Sequence, residues 1–314
     1  MPVPETFSDM DDVQRRLAEH SYITDEDVCT VIFLAYRLQK PLLIEGPAGV
    51  GKTELAKVLA GITGSELIRL QCYEGLDEAK ALYEWNYQKQ LLRIQANHLD
   101  ARGWQETKES IFTEEFLLAR PLLKAILSEK PVVLLIDELD KSDDEFESFL
   151  LEVLSDFQVS IPELGTVRAR QIPLVILTSN NTREFGDALK RRCLHLHIDY
   201  PPFTRELEIV SLKVPGIREA LAGQLVAFVQ EVRQKDLRKA PGISETLDWA
   251  QAMMVLGAEL LDPKLVQRTL PVLLKYEGDV RRIRSQVNDL LDRAAVLAAG
   301  VGLPNKIVPE SGRS

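Results

Sequence analysis

The chain has 314 residues, enough for about two compact units at the usual domain size. Hydrophobic residues make up 45% and charged residues 27%, an ordinary globular composition that needs neither disulfides nor a structural metal to hold a core. The net charge of −10, from 38 Lys and Arg against 48 Asp and Glu, disfavours duplex DNA as a default partner, because phosphate binding is driven by basic side chains.

Residues 24–40 read as a helix, with Thr24 as cap, Asp27 three residues on, and Val28, Val31, Ile32, Ala35 and Leu38 at helical spacing. Pro41 stops it, and residues 42–44 form a short apolar run of the buried-strand type. A Gly-rich turn follows, and then Leu55, Val58, Leu59 and Ile62 mark a second amphipathic helix. One strand is expected at 66–72. Residues 73–113, with Tyr83, Trp85, Tyr87 and Trp104, fit neither period and read as an insertion whose aromatic residues are ordinary packing.

A helix near 121–128 precedes 132–136, the most strand-like run in the chain. Phe146, Phe149, Leu150, Val153 and Leu154 then lie on one helical face. Residues 157–170 alternate, turn and return as a hairpin, and further strands are expected at 174–177 and 194–198. From Pro201 onward the pattern is helical. Its clearest stretch is Val280, Ile283, Val287, Leu290, Leu291, Ala294 and Leu297, which reads as one helix. The expected organisation is an N-terminal segment 1–23, an α/β domain 24–202 carrying the insert and the hairpin, and a smaller all-helical domain 203–314.

No apolar run reaches the roughly 18 residues that a membrane span needs, and the first residues, MPVPETFSDMDD, lack the apolar core of a secretory signal. Cys29, Cys72 and Cys193 are scattered and odd in number. A soluble, reduced, cytoplasmic protein is expected.

Gly46, Pro47, Ala48, Gly49, Val50, Gly51, Lys52 and Thr53 fit the phosphate-binding pattern G-x-x-x-x-G-K-[ST] at every fixed position. Glycines let successive backbone N–H groups turn toward phosphates, and the following helix presents its positive end to the same anion. Lys52 is expected on the terminal phosphates and Thr53 on Mg²⁺. Asp137 and Glu138 end the apolar run 132–136. Alone such a pair is common and structural. Beside Lys52 it reads as a metal-side carboxylate, Asp137, and a general base for water, Glu138. Asp140, Asp143 and Asp144 read as the acidic start of the next helix.

Asn180 follows the strand 174–177, where an amide can orient water and sense the γ-phosphate; plain turn chemistry is the alternative. Arg191 and Arg192 are either a solvated basic helix end or an arginine finger reaching a neighbouring subunit's phosphates. His195 and His197 share one face of a strand, but no third ligand is near in sequence, so a metal is not the reading.

These motifs, in this order and spacing, resemble an AAA+ ATPase, which implies an αβα P-loop NTPase sandwich followed by a smaller helical lid. The insert, together with the hairpin 157–170, resembles the helix-2-insert clade and its MoxR branch. The stretches LIRLQCYEGLDEAKALYEWNY, LLEVLSDFQVSIPELGT and LTSNNTREFGDALKRRC are similar to CoxD-type proteins, MoxR ATPases associated with carbon monoxide dehydrogenase gene clusters. The resemblance covers residues 10–300. It implies Lys52 and Thr53 as Walker A residues, Asp137 and Glu138 as Walker B, Asn180 as sensor 1, and Arg192 as the finger with Arg191 the fallback. It further implies ATP and ADP as ligands with Mg²⁺, a hexameric ring, a von Willebrand factor A partner and a metalloenzyme client. One departure stands out. Glu245 occupies the place where a MoxR lid carries its sensor-2 Arg, and Arg281 is a candidate substitute from a later helix.

The leading function is therefore an ATP-driven remodeller or maturation factor for a metalloenzyme. The alternative class, a motor or loader on nucleic acid, shares the core but fits poorly with the acidic balance and the lack of an appended basic module. A small-molecule kinase and a scaffold without turnover are disfavoured by Glu138, Asn180 and the intact Lys52 and Asp137.

Overall fold

A computed structural model describes residues 6–99, 111–162 and 164–300. Its contacts divide the chain into two compact units, one formed by Met1–Arg16, Asp25–Gly46 and Lys52–His197, the other by Leu17–Thr24, Pro47–Gly51 and Ile198–Ser314, within the described residues.

The first unit is α/β. After α1 (Met10–Glu19) comes α2 (Glu26–Leu38), the helix expected at 24–40. Its cap is Asp25, whose carboxylate accepts the Val28 N–H at 3.0 Å, and not Thr24. Both residue types can cap, but an ionised acceptor also suits the positive end of the helix. Then follow β1 (Leu42–Glu45), α3 (Lys52–Thr63) and β2 (Glu66–Gln71). The insert comprises α4 (Glu78–Ala81), β3 (Tyr83–Trp85), α5 (Tyr87–Leu99) and β4 (Leu117–Ala119), with β3 and β4 antiparallel. Trp85 packs edge-on against Tyr83 and Phe112 as expected, whereas Tyr87 is exposed at the start of α5. Trp104 lies outside the described residues.

Pro121, at the first position of α6 (Pro121–Leu127), supplies a preset φ where no N–H is needed. Next come β5 (Val132–Asp137), α7 (Asp144–Asp156), β6 (Gln158–Ile161), β7 (Gly165–Arg168), β8 (Leu174–Ser179), α8 (Asp187–Arg192) and β9 (Leu194–His197). Strands β6 and β7 form the expected antiparallel hairpin. The five main strands are all parallel, in the order β2-β5-β8-β1-β9. β5 is buried at every position, which is why its sequence shows no polar alternation. Each of its apolar side chains contributes about 1.5–3 kcal/mol by burial. Since the strands run in one direction, their carboxyl ends share one edge of the sheet, where ligands of open α/β sheets bind.

The second unit contains α9 (Phe203–Lys213), α10 (Glu219–Arg233), α11 (Ile243–Val255), α12 (Pro263–Leu273), α13 (Glu277–Arg284) and α14 (Val287–Gly300). They enclose a core that includes Phe228, Trp249, Val266 and Leu290. The Trp249 indole N–H is satisfied by Thr269 Oγ1 at 2.9 Å. The single helix expected over 280–297 is two, broken at Ser285 and Gln286. Val280, Ile283, Val287 and Leu290 still face one core, so the apolar period runs on through the break and hides it.

Candidate functional site

Three of the parallel strands deliver the predicted residues. β1 ends at Glu45 and passes into the Gly-rich loop, β5 ends on Asp137, and β8 ends just before Asn180. The pairing of β5 with β8 brings Ile136 beside Leu177, so Asp137 meets the Thr178 level of β8. At the first residue of α3, the Lys52 ammonium is buried and donates to the Gly46 carbonyl at 2.7 Å and to Asn180 Oδ1 at 2.9 Å. Burial pushes its pKa down to about 8, against the pull of Asp140, Asp137 and Glu138, which favour the charged form. Thr53, next along α3, donates its hydroxyl to Asp137 Oδ1 at 3.0 Å.

Asp137 is nearly sealed from solvent and holds two more donors. The Thr178 hydroxyl reaches Oδ1 at 2.5 Å and the Arg69 guanidinium reaches Oδ2 at 2.5 Å. Thr178 Oγ1 also accepts the Glu138 N–H at 2.9 Å, so one hydroxyl fixes both residues of the acidic pair. Glu138 itself sits in the left-handed region at φ 56°, a conformation costly for a side chain with a Cβ and characteristic of sites where the backbone is held for function. Its carboxylate accepts from Gln71 Nε2 at 2.8 Å and pairs with Lys141.

Asp143 and Asp144 do begin the next helix, with Asp143 as its cap. Asp140 does not. It is buried in a short 3₁₀ turn, and Oδ2 is bonded by the Thr182 hydroxyl at 2.5 Å, which ties the turn after Glu138 to the loop after Asn180. Its Oδ1 has no partner among the described residues. The reason is position: three residues past a strand end, the chain is still crossing the edge of the sheet.

Sequence reading missed four contributors: Arg69, Gln71, Thr178 and Thr182. Each lies on a neighbouring strand or loop and carries no motif. Alternation in β2 puts Arg69 and Gln71 on one face, and the register pairs Gln71 with Asp137, but both facts need the strand order.

Within the second unit the loop segment Pro47–Gly51 is held by backbone. Gly49 (φ 80°) and Gly51 (φ 97°) take left-handed angles that favour glycine. The Ile243 N–H, at the start of α11, donates to the Gly49 carbonyl at 2.9 Å. A Cβ on Gly242 would lie 2.8 Å from the Ala48 carbonyl oxygen, so glycine is needed at that cap. Glu245 is the third residue of α11. Its carboxylate accepts the Gly242 N–H at 3.0 Å and pairs with Lys239 at 3.3 Å, so it serves its own helix end. Arg281 pairs with Glu277 one turn back on α13, and both side chains are exposed.

Arg192 is exposed at the end of α8, bonded to Ser155 Oγ at 2.5 Å and to the Ala188 carbonyl. Arg191 is exposed beside it. His195 pairs with Glu45 on the adjacent strand at 2.5 Å. The three cysteines are buried and free, and burial raises their thiols to about 11 or 12, far from reactivity. A cavity of about 420 Å³ lies at the opposite, amino-terminal ends of the strands, lined by Tyr36, Lys40, Val132 and Leu174 among others, and includes none of the predicted site residues. Among the described residues, no helix is long and apolar enough to cross a membrane.

The chain is similar to several known proteins. Residues 41–193 match the AAA domain of the dynein-related subfamily. The span holds Lys52, Thr53, Asp137, Glu138, Asn180 and Arg192. A gas vesicle ATPase, GvpN, of Ancylobacter aquaticus is 26% identical over 242 residues, covering 72% of this chain and 65% of its own length. An uncharacterized protein of Staphylococcus aureus (strain bovine RF122 / ET3-1) is 28% identical over 282 residues, with 86% of this chain and 97% of that one aligned. Among solved structures, a point mutant of RuvB from Thermotoga maritima aligns at 16% identity and a TM-score of 0.48, covering 97% of this chain and 86% of that one.

Proposed function

We propose that this chain is a MoxR-type AAA+ ATPase that hydrolyses Mg-ATP at sites completed between subunits of a ring, and uses the cycle to remodel or mature a metalloenzyme. A molybdenum carbon monoxide dehydrogenase-type enzyme is the client class favoured by the resemblance of residues 67–87, 150–166 and 177–193 to CoxD-type proteins, and a von Willebrand factor A protein is the expected partner. The observation that carries the ATPase reading is that Lys52, Thr53, Asp137, Glu138 and Asn180 meet at the carboxyl edge of the sheet, Lys52 bonded to Asn180, Thr53 to Asp137, and the Glu138 N–H to the Thr178 hydroxyl that also bonds Asp137.

Mg²⁺ suits the donor set: the Thr53 hydroxyl oxygen lies 3.0 Å from Asp137 Oδ1 and 3.3 Å from Oδ2, so Thr53 and either carboxylate oxygen offer a pair of hard donors, and Mg²⁺ commonly takes one or two protein oxygens with phosphate and water completing its shell. Bound there, it would supply positive charge to the β- and γ-phosphate oxygens. The chain's own residues would do the rest. Lys52, already held at Gly46 and Asn180, exchanges those acceptors for terminal phosphate oxygens. Asn180, released from Lys52, fixes a γ-phosphate oxygen or the attacking water. Glu138 turns from Gln71 and Lys141, orients the water, and takes its proton as it attacks phosphorus, with ADP leaving. Arg192, exposed at the end of α8, supplies the finger to the neighbouring subunit.

The test is ATP hydrolysis against protein concentration for the parent, Glu138→Gln and Arg192→Ala. The expected result is a specific rate that climbs with concentration and falls about 10²–10⁴-fold in Glu138→Gln, the usual range for a general base, with a loss of about 10³-fold or more in Arg192→Ala. Full activity in Arg192→Ala with a flat concentration profile would remove the finger and the ring mechanism with it. The client is tested by adding the parent or Glu138→Gln, with ATP, to a purified metal-deficient molybdenum enzyme and following recovery of its activity. Stimulation by DNA and not by that enzyme would give the role to a nucleic-acid motor.

A further inference from the structure

Asp137 poses an electrostatic problem that its motif does not solve. A buried carboxylate needs compensating charge, and the hydroxyls of Thr53 and Thr178 bring hydrogen bonds but none. The cation bonded to it is Arg69, with Nη2 2.5 Å from Oδ2. Arg69 projects from β2, on the face it shares with Gln71. The same Nη2 reaches Gln71 Oε1 at 2.5 Å, and Gln71 Nε2 donates to Glu138 Oε2 at 2.8 Å. One guanidinium thus touches the first acidic residue directly and the second through an amide. Yet Arg69 is half exposed, while Asp137 is only 2% exposed. It can turn to solvent without leaving a hole in the core.

We propose that Arg69 is a resident counter-cation of the metal site, which competes with the divalent ion for Asp137 Oδ2 and must swing out before the ion can bind. This rests on the reading of Asp137 as a metal-side carboxylate. The oxygen that Arg69 occupies is the one not already committed most closely to Thr53 and Thr178, so guanidinium and metal draw on the same lone pairs. Arg69 compensates the carboxylate's charge and orients it while no metal is there, and sets a threshold for metal entry that a metal–nucleotide complex, with its added phosphate contacts, overcomes more readily than the free ion. It is a positioning residue; the reacting atoms are not its partners.

The experiment titrates Mn²⁺ into the full chain with saturating ADP and reads free Mn²⁺ by electron paramagnetic resonance, a readout independent of turnover. Removing one opposite charge from a carboxylate changes its cation affinity by about ten-fold or more. Arg69→Ala is therefore expected to bind Mn²⁺ about ten-fold more tightly than the parent. Arg69→Gln, which keeps length and hydrogen bonding but drops the charge, should do the same and serves if the alanine variant folds poorly. Arg120→Ala, which removes an exposed arginine paired with Glu84, should change nothing. Asp137→Asn separates the two levels of the reading. If it leaves Mn²⁺ binding intact, Asp137 is not the metal carboxylate. If Asp137→Asn weakens binding but Arg69→Ala and Arg69→Gln leave it unchanged or weaker, Asp137 keeps its role and the competing cation is overturned.

Discussion

Glu206 in the helical unit and Asp137 in the α/β unit are both almost fully buried carboxylates, and each is bonded to an arginine. Around Glu206 every partner is internal. Arg233 meets both its oxygens at 2.6 and 2.7 Å, Gln230 and Thr246 add donors, and Arg233 spends its remaining capacity on the Pro241 carbonyl and the Tyr200 ring. Arg233 is 4% exposed. Around Asp137 the arginine is 49% exposed, and the other donors are hydroxyls able to reorient. A closed network with no exchangeable member fixes structure, here the entry of α11, whose Thr246 it holds. A network with one arm in solvent can trade that arm for a ligand. Burial of the acid does not distinguish the two; exposure of its cation does.

Breaking the closed network should give the largest change in stability. Arg233→Ala leaves Glu206 charged and buried with only neutral donors, and such a loss costs about 3–5 kcal/mol. Chemical denaturation should show it as a lower midpoint. A loss under about 1 kcal/mol would mean that water reaches Glu206 and that the pair is no more structural than a surface one. Next in size is Thr178→Val, which keeps shape but removes the hydroxyl shared by Asp137 and the Glu138 N–H. Two buried polar groups each lose a bond, a penalty of about 1–3 kcal/mol. Hydrolysis should fall as well, because the left-handed backbone at Glu138 loses its clamp. Stability falling with hydrolysis unchanged would show that Glu138 does not depend on that clamp.

The same contrast explains what the sequence could disclose. Lys52, Thr53, Asp137 and Glu138 were legible because each belongs to a local pattern at the end of its own strand. Asn180 was legible from its place after 174–177. Arg69, Gln71 and Thr178 were not, since they act across strand boundaries, and only the order β2-β5-β8 shows which residues stand beside Asp137. The same holds for Glu206, Arg233 and Thr246, three residues from three helices with no shared spacing. Local periodicity also failed where it was interrupted without changing face, at Ser285 and Gln286, and where strands of only three residues pair across a long stretch of the insert, as β3 and β4 do.

At the open network the effects shrink. Arg69→Ala, whatever it does to metal affinity, should cost no more than about 1 kcal/mol in the same denaturation experiment, the range of solvent-exposed pairs. A cost near that of Arg233→Ala would erase the distinction between the two networks.

The smallest effect is expected at Arg281, which the MoxR resemblance offers in place of a sensor-2 arginine. It is exposed and bonded to Glu277 on its own helix, four residues earlier, an arrangement that contributes about 0.3–0.5 kcal/mol to a helix. Arg281→Ala should therefore leave the melting temperature essentially unchanged and the ATPase rate within about two-fold of the parent's. Neither position would then supply the sensor-2 cation that the MoxR resemblance implies, because Glu245 is committed to its own helix end and to Lys239. A fall of ten-fold or more in the rate, with unchanged melting, would instead give Arg281 a phosphate to bind during the cycle. The Glu277 pair would then join Arg69 among contacts that are held only until a ligand arrives. Exposure of the cation would remain the mark of an exchangeable pair, now in both units of the chain.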